Sequence, residues 1–165
     1  IQDLAFRTIL MFESRLEKRN ITLEGLDSEP VQVWGDPDLI GQVIYNLFEN
    51  ATKFVNTGGT ITFTFKDEPN NTSIAIRNTG AGISKEELPK IFERFYKSDD
   101  SRSHDKTGLG IGLDITKHIV RLHKAQISVS SEEGEYTEFL IRLPKKDAPA
   151  ESPTENPEKQ PKDAR

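Results

Sequence analysis

Three polar residues at helical spacing pose the first chemical question. Asn46, Asn50 and Lys53 stand four and three residues apart, so on an α-helix their side chains line one face. Two amide oxygens and an ammonium in a row can hold a hard cation together with an anion. Magnesium takes oxygen ligands and commonly shares them with the phosphates of a nucleotide. The same row would also suit a solvated helix edge that binds nothing.

Two glycine clusters widen the possibility. Asn78-Thr79-Gly80-Ala81-Gly82-Ile83 directly follows an alternating run, and glycines spaced by one residue let a backbone approach a flat ligand or take positive φ. Any tight turn could produce the same pair. Gly108-Leu109-Gly110-Ile111-Gly112-Leu113 leads straight into a helical pattern. Glycines at that junction expose amides at the positive end of the helix dipole, which favours phosphate oxygens. No G-x-x-x-x-G-K-[ST] is present, so a P-loop is excluded. A dinucleotide fold fails as well, because neither cluster closes the first strand of a βαβ unit.

The elements that must position these residues follow from periodicity. Residues 1–19 read as one helix, with Leu4, Ile9, Phe12 and Leu16 on one face. Residues 21–23 and 31–34 are short strand candidates. Asp36 suits an N-cap and Pro37 a first helical turn, opening a helix over residues 37–54 whose buried stripe is Ile40, Val43, Ile44, Leu47 and Ala51. Residues 60–65 and 73–76 alternate and flank a turn-rich stretch, which predicts a hairpin. Ser84 and Glu87 form an S-x-x-E capping box before residues 88–96. A long polar, glycine-punctuated stretch over 98–112 follows. A helix over 115–123 is expected, with Ile115, Ile119 and Leu122 on one face, then a hairpin pairing 126–131 with 136–143. The expected fold class is α+β: a two-layer α/β sandwich whose mixed, mostly antiparallel sheet carries its helices on one face.

Composition sets the outer bounds. The 165 residues suffice for one well-packed domain, and the formal net charge of −5 argues against a nucleic-acid binder. Without cysteine there are no disulfides, thiolate metal sites or Cys nucleophiles, which suits a cytoplasmic location. No apolar run approaches the roughly 20 residues that span a bilayer. The start at Ile1, without Met or signal peptide, reads as a piece of a longer chain. Residues 145–165 repeat Pro among Glu, Lys, Asp and Ala, and read as a disordered tail.

Taken in order, these segments resemble the boxes of the histidine kinases. Residues 42–54 resemble the N box, 78–83 the G1 box, Ile91-Phe92-Glu93-Arg94-Phe95-Tyr96 the F box and 108–113 the G2 box. Tyr136-Thr137-Glu138-Phe139 sits where the family has a last, weaker box. The resemblance spans about residues 1–144 and implies the Bergerat-type ATP-binding fold shared with type II topoisomerases, Hsp90 and MutL; the F box points to the kinases. It implies ATP and Mg²⁺ as cofactors, with Asn50 the main Mg²⁺ ligand and Asn46 assisting. Lys53 and Arg94 would contact phosphate oxygens, and Phe54 would stack on adenine. Gly80 and Gly82 would bring backbone close to the base, with Ile83 and Leu113 beside it and Thr137 bonded to it through water. Phe92 and Phe95 would anchor a lid over 97–107, hinged at Gly108, Leu109, Gly110 and Gly112. Glu49 would orient or deprotonate the accepting imidazole, although a solvated helix carboxylate reads equally well.

Three positions depart from the family pattern. Asn78 stands where the G1 box normally begins with Asp, giving the adenine amino group a neutral acceptor, weaker by about 1 kcal/mol. His123-Lys124-Ala125 replaces H-G-G. No H-E-x-x-x-P acceptor motif is present, so His104, His118 and His123 read as surface or packing residues. The implied reaction is therefore phosphoryl transfer to a histidine on a dimerisation domain that would precede residue 1, with residues 1–20 the connection and 21–144 the catalytic domain. A response regulator would be the indirect partner. The chain alone would be monomeric and its parent a homodimer, membrane-anchored or cytoplasmic. Two other readings stay open: a degenerate regulatory module of the same fold, and an ATPase or serine kinase related to anti-sigma factors.

Overall fold

The computed structural model describes residues 1–96 and 110–146. Its helices are α1 (Gln2–Leu10), α2 (Glu13–Lys18), α3 (Pro37–Phe54) and α4 (Gly112–Leu122); its strands are β1 (Thr22–Glu24), β2 (Thr60–Asp67), β3 (Asn71–Thr79), β4 (Gln126–Glu132) and β5 (Tyr136–Pro144). One sheet runs β1-β2-β3-β5-β4. Only the β1–β2 pair is parallel; β2–β3, β3–β5 and β4–β5 are antiparallel.

α3 is the central helix because its sequence specifies both ends and one face. The Asp36 carboxylate accepts from the amides of Asp38 and Leu39, and Pro37 occupies the first turn, where no N–H is missed. All five residues of the expected stripe are buried, and Phe48 joins them, fully covered. Its ring packs edge-on to Phe12 and tilted against Phe63. Across from α3 the sheet presents Ile61, Phe63, Ile74, Ile76, Phe139 and Ile141, and helices and sheet face form one apolar core. Each such fully buried side chain contributes roughly 1.5–3 kcal/mol. The C-terminus of α3 has no glycine cap; the Arg19 guanidinium donates to the carbonyls of Thr52 and Val55, a cation on the negative end of the dipole.

Four local expectations are corrected. Residues 1–19 form two helices, because the amides of Met11 and Phe12 bond three residues back, to Thr8 and Ile9. This tight turn seats Phe12 between Tyr45 and Phe48. Residues 31–34 form no strand: Val31 N–H is taken by the Gln2 side chain and the Gln32 carbonyl by the Thr72 hydroxyl, so side chains satisfy this backbone in place of a ladder. The Ser84–Glu87 box closes side chain to side chain at 3.2 Å and opens a run of turns instead of a helix. On α4 the buried face is Thr116, Ile119 and Val120, while Ile115 and Leu122 are exposed.

The replacement of H-G-G is absorbed locally. Lys124 takes φ +52° and Ala125 N–H bonds back to Val120 O, terminating α4 without glycine. His123 is a packing residue here: its Nε2 accepts from Asp36 N–H at 3.1 Å and its Nδ1 lies 2.9 Å from Ile119 O, tying the end of α4 to the start of α3. Lys145, placed in the tail by composition, pairs with Asp67 at 2.9 Å, and Lys146 lies over Trp34. The rest of the tail, 147–165, lies outside the described residues.

Candidate functional site

The polar row on α3 meets the first turn of α4. Asn46 is buried; its Nδ2 donates to Gly112 O at 3.1 Å and to Thr116 Oγ1 at 3.2 Å, and its Oδ1 accepts from Gln42 Nε2 at 2.8 Å. Asn50, one turn on, is half-buried, and its side chain has no hydrogen-bond partner among the described residues. Lys53 completes the row and pairs with Glu49 at 3.3 Å. The residue before α4, Ile111, offers no side-chain cap, so among the described residues no N-cap side chain takes the amides of the first turn. Uncapped amides beside two amide oxygens can serve an anion and a hard cation together. Among the described residues no group of three His, Cys, Asp or Glu could ligate a metal by itself. A cation here would therefore share its shell with the oxygens of a bound ligand, which fits Mg²⁺ on phosphates.

The other wall is the end of β3. Asn78 is 4 % exposed and lies between Ile61 of β2 and Thr137 of β5 in the sheet register. Its Nδ2 donates to Thr79 O at 3.1 Å. A carbonyl can only accept, so this bond fixes the amide's orientation and leaves Oδ1 without a protein donor among the described residues. Gly80 pairs with Val55, and a Cβ there would stand 2.2 Å from the carbonyl oxygen of Phe54. A Cβ on Gly82, at φ +73°, would stand equally close to Glu132 O. Both glycines thus serve contacts within the chain: the first presses the loop on α3, the second on the β4–β5 turn.

That turn is anchored by a residue the sequence reading missed. Ser131 Oγ accepts from Ile83 N at 2.8 Å, donates to Tyr136 O at 2.6 Å and lies 3.1 Å from Thr137 Oγ1. One hydroxyl so holds both the loop over 78–83 and the hairpin carrying Thr137. A lone serine in an alternating strand carries no sequence signal for this role. Ser131→Ala should cost about 1–2 kcal/mol, because the partly buried Ile83 amide loses its acceptor; urea unfolding of the two proteins measures the difference.

The remaining candidates lie on the turns between β3 and α4 and on α4 itself. Arg94 is exposed with its guanidinium 5.0 Å from the Phe95 ring, and Phe95 itself is 65 % exposed at φ +65°. Phe92 instead packs edge-on to Phe139 in the core. Phe95 N–H donates to Gly110 O at 3.0 Å, and Gly110, at φ +68°, sits where a Cβ would be 2.7 Å from Tyr96 O. The F-box and G2-box segments are therefore laced together. Leu113 is half-buried against the core. His118 is exposed beside Asp114. Gly108, Leu109, His104 and the expected lid over 97–107 lie outside the described residues.

An α3 row of two amides and an ammonium, a glycine loop at the end of β3 and a helix start without an N-cap side chain make up the candidate site of this α+β domain. The chain belongs to the family described as "Histidine kinase-, DNA gyrase B-, and HSP90-like ATPase", whose profile matches residues 35–147. Sensor protein SrrB of Staphylococcus aureus (strain NCTC 8325 / PS 47) is 41% identical over 115 residues, covering 69% of this chain and 20% of that protein. The chain thus spans about a fifth of the length of the curated relatives it matches. The fold is that of histidine kinase catalytic domains: the nucleotide-free catalytic domain of ThkA superposes with a TM-score of 0.74 at 28% identity, covering 87% of this chain and 91% of that one. ThkA solved with response regulator protein TrrA gives a TM-score of 0.71 at 25% identity, covering 87% and 40%. Full-length ShkA in complex with AMPPNP shares the fold, with a TM-score of 0.73 at 22% identity, covering 87% and 30%.

Proposed function

We propose that this chain is the ATP-binding catalytic domain of a two-component sensor histidine kinase, transferring the γ-phosphoryl group to a histidine on a separate acceptor domain. One observation carries the reading: Asn46 is bonded into the first turn of α4, which brings the Asn46–Asn50–Lys53 row against an uncapped helix start. Asn50 and Asn46 would hold Mg²⁺, whose charge offsets that of the phosphates. Lys53 and Arg94 would neutralise phosphate oxygens, and the α4 amides after Gly110 and Gly112 would bind them. Asn78 Oδ1 would accept from the adenine amino group, Phe54 and Ile83 would flank the ring, and Thr137 would hydrogen-bond to it. Glu49, held by Lys53, would face the incoming imidazole. Little covalent work falls to the protein; positioning and charge neutralisation supply most of the effect.

The acceptor-histidine domain of the parent chain and, through it, a response regulator are the proposed partners. The name of SrrB as a sensor protein and the ThkA–TrrA complex support this at the level of relatives. No helix of the described residues is long and apolar enough to cross a membrane; a cytoplasmic place for this domain is part of the proposal. Calorimetric titration with ADP and a non-hydrolysable ATP analogue, with and without Mg²⁺ and with GTP as control, tests the site. Adenine-selective binding at micromolar to sub-millimolar concentration supports it, and no binding of either adenine nucleotide at millimolar concentration removes it. Phosphorylation of a supplied acceptor-histidine domain, against a serine substrate, then separates a histidine kinase from a serine kinase of the same fold.

Asn78→Asp gives a sharper check. A carboxylate restores a charged acceptor for the adenine amino group, so nucleotide affinity should rise several-fold. The same carboxylate would place an oxygen against Thr79 O, where the amide now donates. The nucleotide-free variant should therefore unfold at a lower temperature than the parent, and thermal scans with and without ADP separate the two effects.

A further inference from the structure

We infer that Ser131 is a positioning residue for base selection: it fixes the Thr137 hydroxyl as an acceptor, and the site thereby takes a base that carries an amino group. The inference rests on the nucleotide reading above and deepens it. The sheet register puts Ile61, Asn78, Thr137 and Ser131 in one row across four strands, on the face that carries the core. The two rows beside it are apolar throughout: Phe63, Ile76, Phe139 and Val129, then Phe65, Ile74, Ile141 and Ile127. The row at the site breaks that pattern with three polar side chains on neighbouring strands. Cross-strand neighbours stand about 5 Å apart, so one small ligand group can meet two of them.

The direction of each bond in this row follows from counting protons. Ser131 has one. Its Oγ lies 2.6 Å from Tyr136 O, and a carbonyl can only accept, so the proton is spent there. The Ile83 amide can only donate, and it takes one lone pair of the same oxygen. Only a lone pair remains for the 3.1 Å contact with Thr137 Oγ1, so Thr137 is the donor in it and keeps its own lone pairs for a ligand. Beside it, Asn78 spends Nδ2 on Thr79 O. Among the described residues Asn71 Oδ1 alone is a buried side-chain polar atom without a partner. The unpartnered Asn78 Oδ1 therefore reaches the surface of an otherwise buried residue. The row thus offers two adjacent acceptors and no donor. A primary amino group on a flat ring carries two N–H bonds, one for each. A ring keto oxygen would meet acceptors on both sides, and Thr137 could donate to it only by giving up Ser131.

The test compares the 165-residue chain with Ser131→Ala, Ser131→Thr, Thr137→Val and the Ser131→Ala/Thr137→Val double variant. Calorimetry gives the affinities for ADP and for inosine diphosphate, which differ at the amino or keto group, and the quantity read is their ratio. The parent should favour ADP at least about tenfold. Ser131→Ala frees the Thr137 proton to turn toward a keto oxygen, so the ratio should fall about five-fold, the worth of roughly one hydrogen bond. Ser131→Thr keeps a hydroxyl and should keep the ratio. With Thr137→Val in place, removing the Ser131 hydroxyl should change the ratio no further, an outcome that mere loosening of the 78–83 loop would not give. An unchanged ratio in Ser131→Ala, or an equal fall in the Thr137→Val background, overturns the inference. A second measurement needs neither ligand nor variant: in the parent chain the Thr137 hydroxyl proton, located by nuclear Overhauser contacts, should lie against Ser131. A proton on the opposite side overturns the inference even if Ser131→Ala does not fold. Absence of ADP binding in the parent protein would instead overturn the nucleotide reading, and the proton's position would still decide which hydroxyl donates.

Discussion

Gly82→Ala should destabilise the domain by about 3 kcal/mol and weaken adenine-nucleotide binding along with it. Two costs add. At φ +73° an L-residue occupies the left-handed region, at about 1 kcal/mol. The added Cβ would also stand 2.2 Å from Glu132 O and 2.8 Å from its carbon, both backbone atoms that no rotamer change can move. Relieving such an overlap costs a further 1–3 kcal/mol or so. What must shift is the packing of the 78–83 loop on the β4–β5 turn. Gly134 N–H to Ala81 O at 2.7 Å, Gly80 N–H to Glu135 O at 3.0 Å and Ile83 N–H to Ser131 Oγ would loosen together. Asn78 and Thr137 would then lose their register at the proposed base site.

Gly58 supplies the internal control. It has the same φ of +73° but nothing within 4 Å of the position a Cβ would take. Gly58→Ala should cost only the backbone share, about 1 kcal/mol, with nucleotide affinity intact. Denaturant unfolding of both variants therefore isolates the close approach as a difference of about 2 kcal/mol. Equal destabilisation would mean that the loop gives way freely.

How much of this was readable beforehand depended on whether the signal was local. Asp36-Pro37 and the stripe from Ile40 to Ala51 fixed α3 to the residue, since capping and a 3.6-residue period are properties of the helix itself. The two antiparallel hairpins were legible for the same reason. The parts that were not legible are settled by distant partners. Val31 to Trp34 alternates like a strand, but its backbone groups are claimed by Gln2 and Thr72 from elsewhere in the chain. On α4 apolar spacing put Ile115, Ile119 and Leu122 on one face, yet of these Ile119 alone is buried, together with Thr116, whose hydroxyl meets Asn46, and Val120. The site follows the same division. The polar row and the glycine clusters could be recognised by type and spacing, whereas Ser131 and Thr116, which hold them in place, are polar residues whose partners lie in other elements.

Asn50→Ala should produce the largest functional loss, about 100-fold in Mg²⁺-dependent affinity for ADP, with little change in stability. Outer-sphere partners of a metal cost about 10–100-fold when removed, and a direct ligand belongs at the upper end of that range. Asn50 is placed for direct ligation by what its neighbours are doing. Asn46 spends both amide hydrogens on α4 and Lys53 is paired with Glu49, but the Asn50 side chain engages nothing among the described residues. A half-buried amide with no partner among the described residues contributes little to the folded state they form, so its truncation should move the melting temperature by no more than a degree or two. The same substitution at Asn46 would behave differently, because it also cuts the α3–α4 bonds and should lower both stability and affinity. Calorimetry and thermal unfolding on the pair of variants distinguish ligand from strut. An Asn50→Ala protein that keeps its Mg²⁺ dependence would place the cation elsewhere and take the metal role from this row.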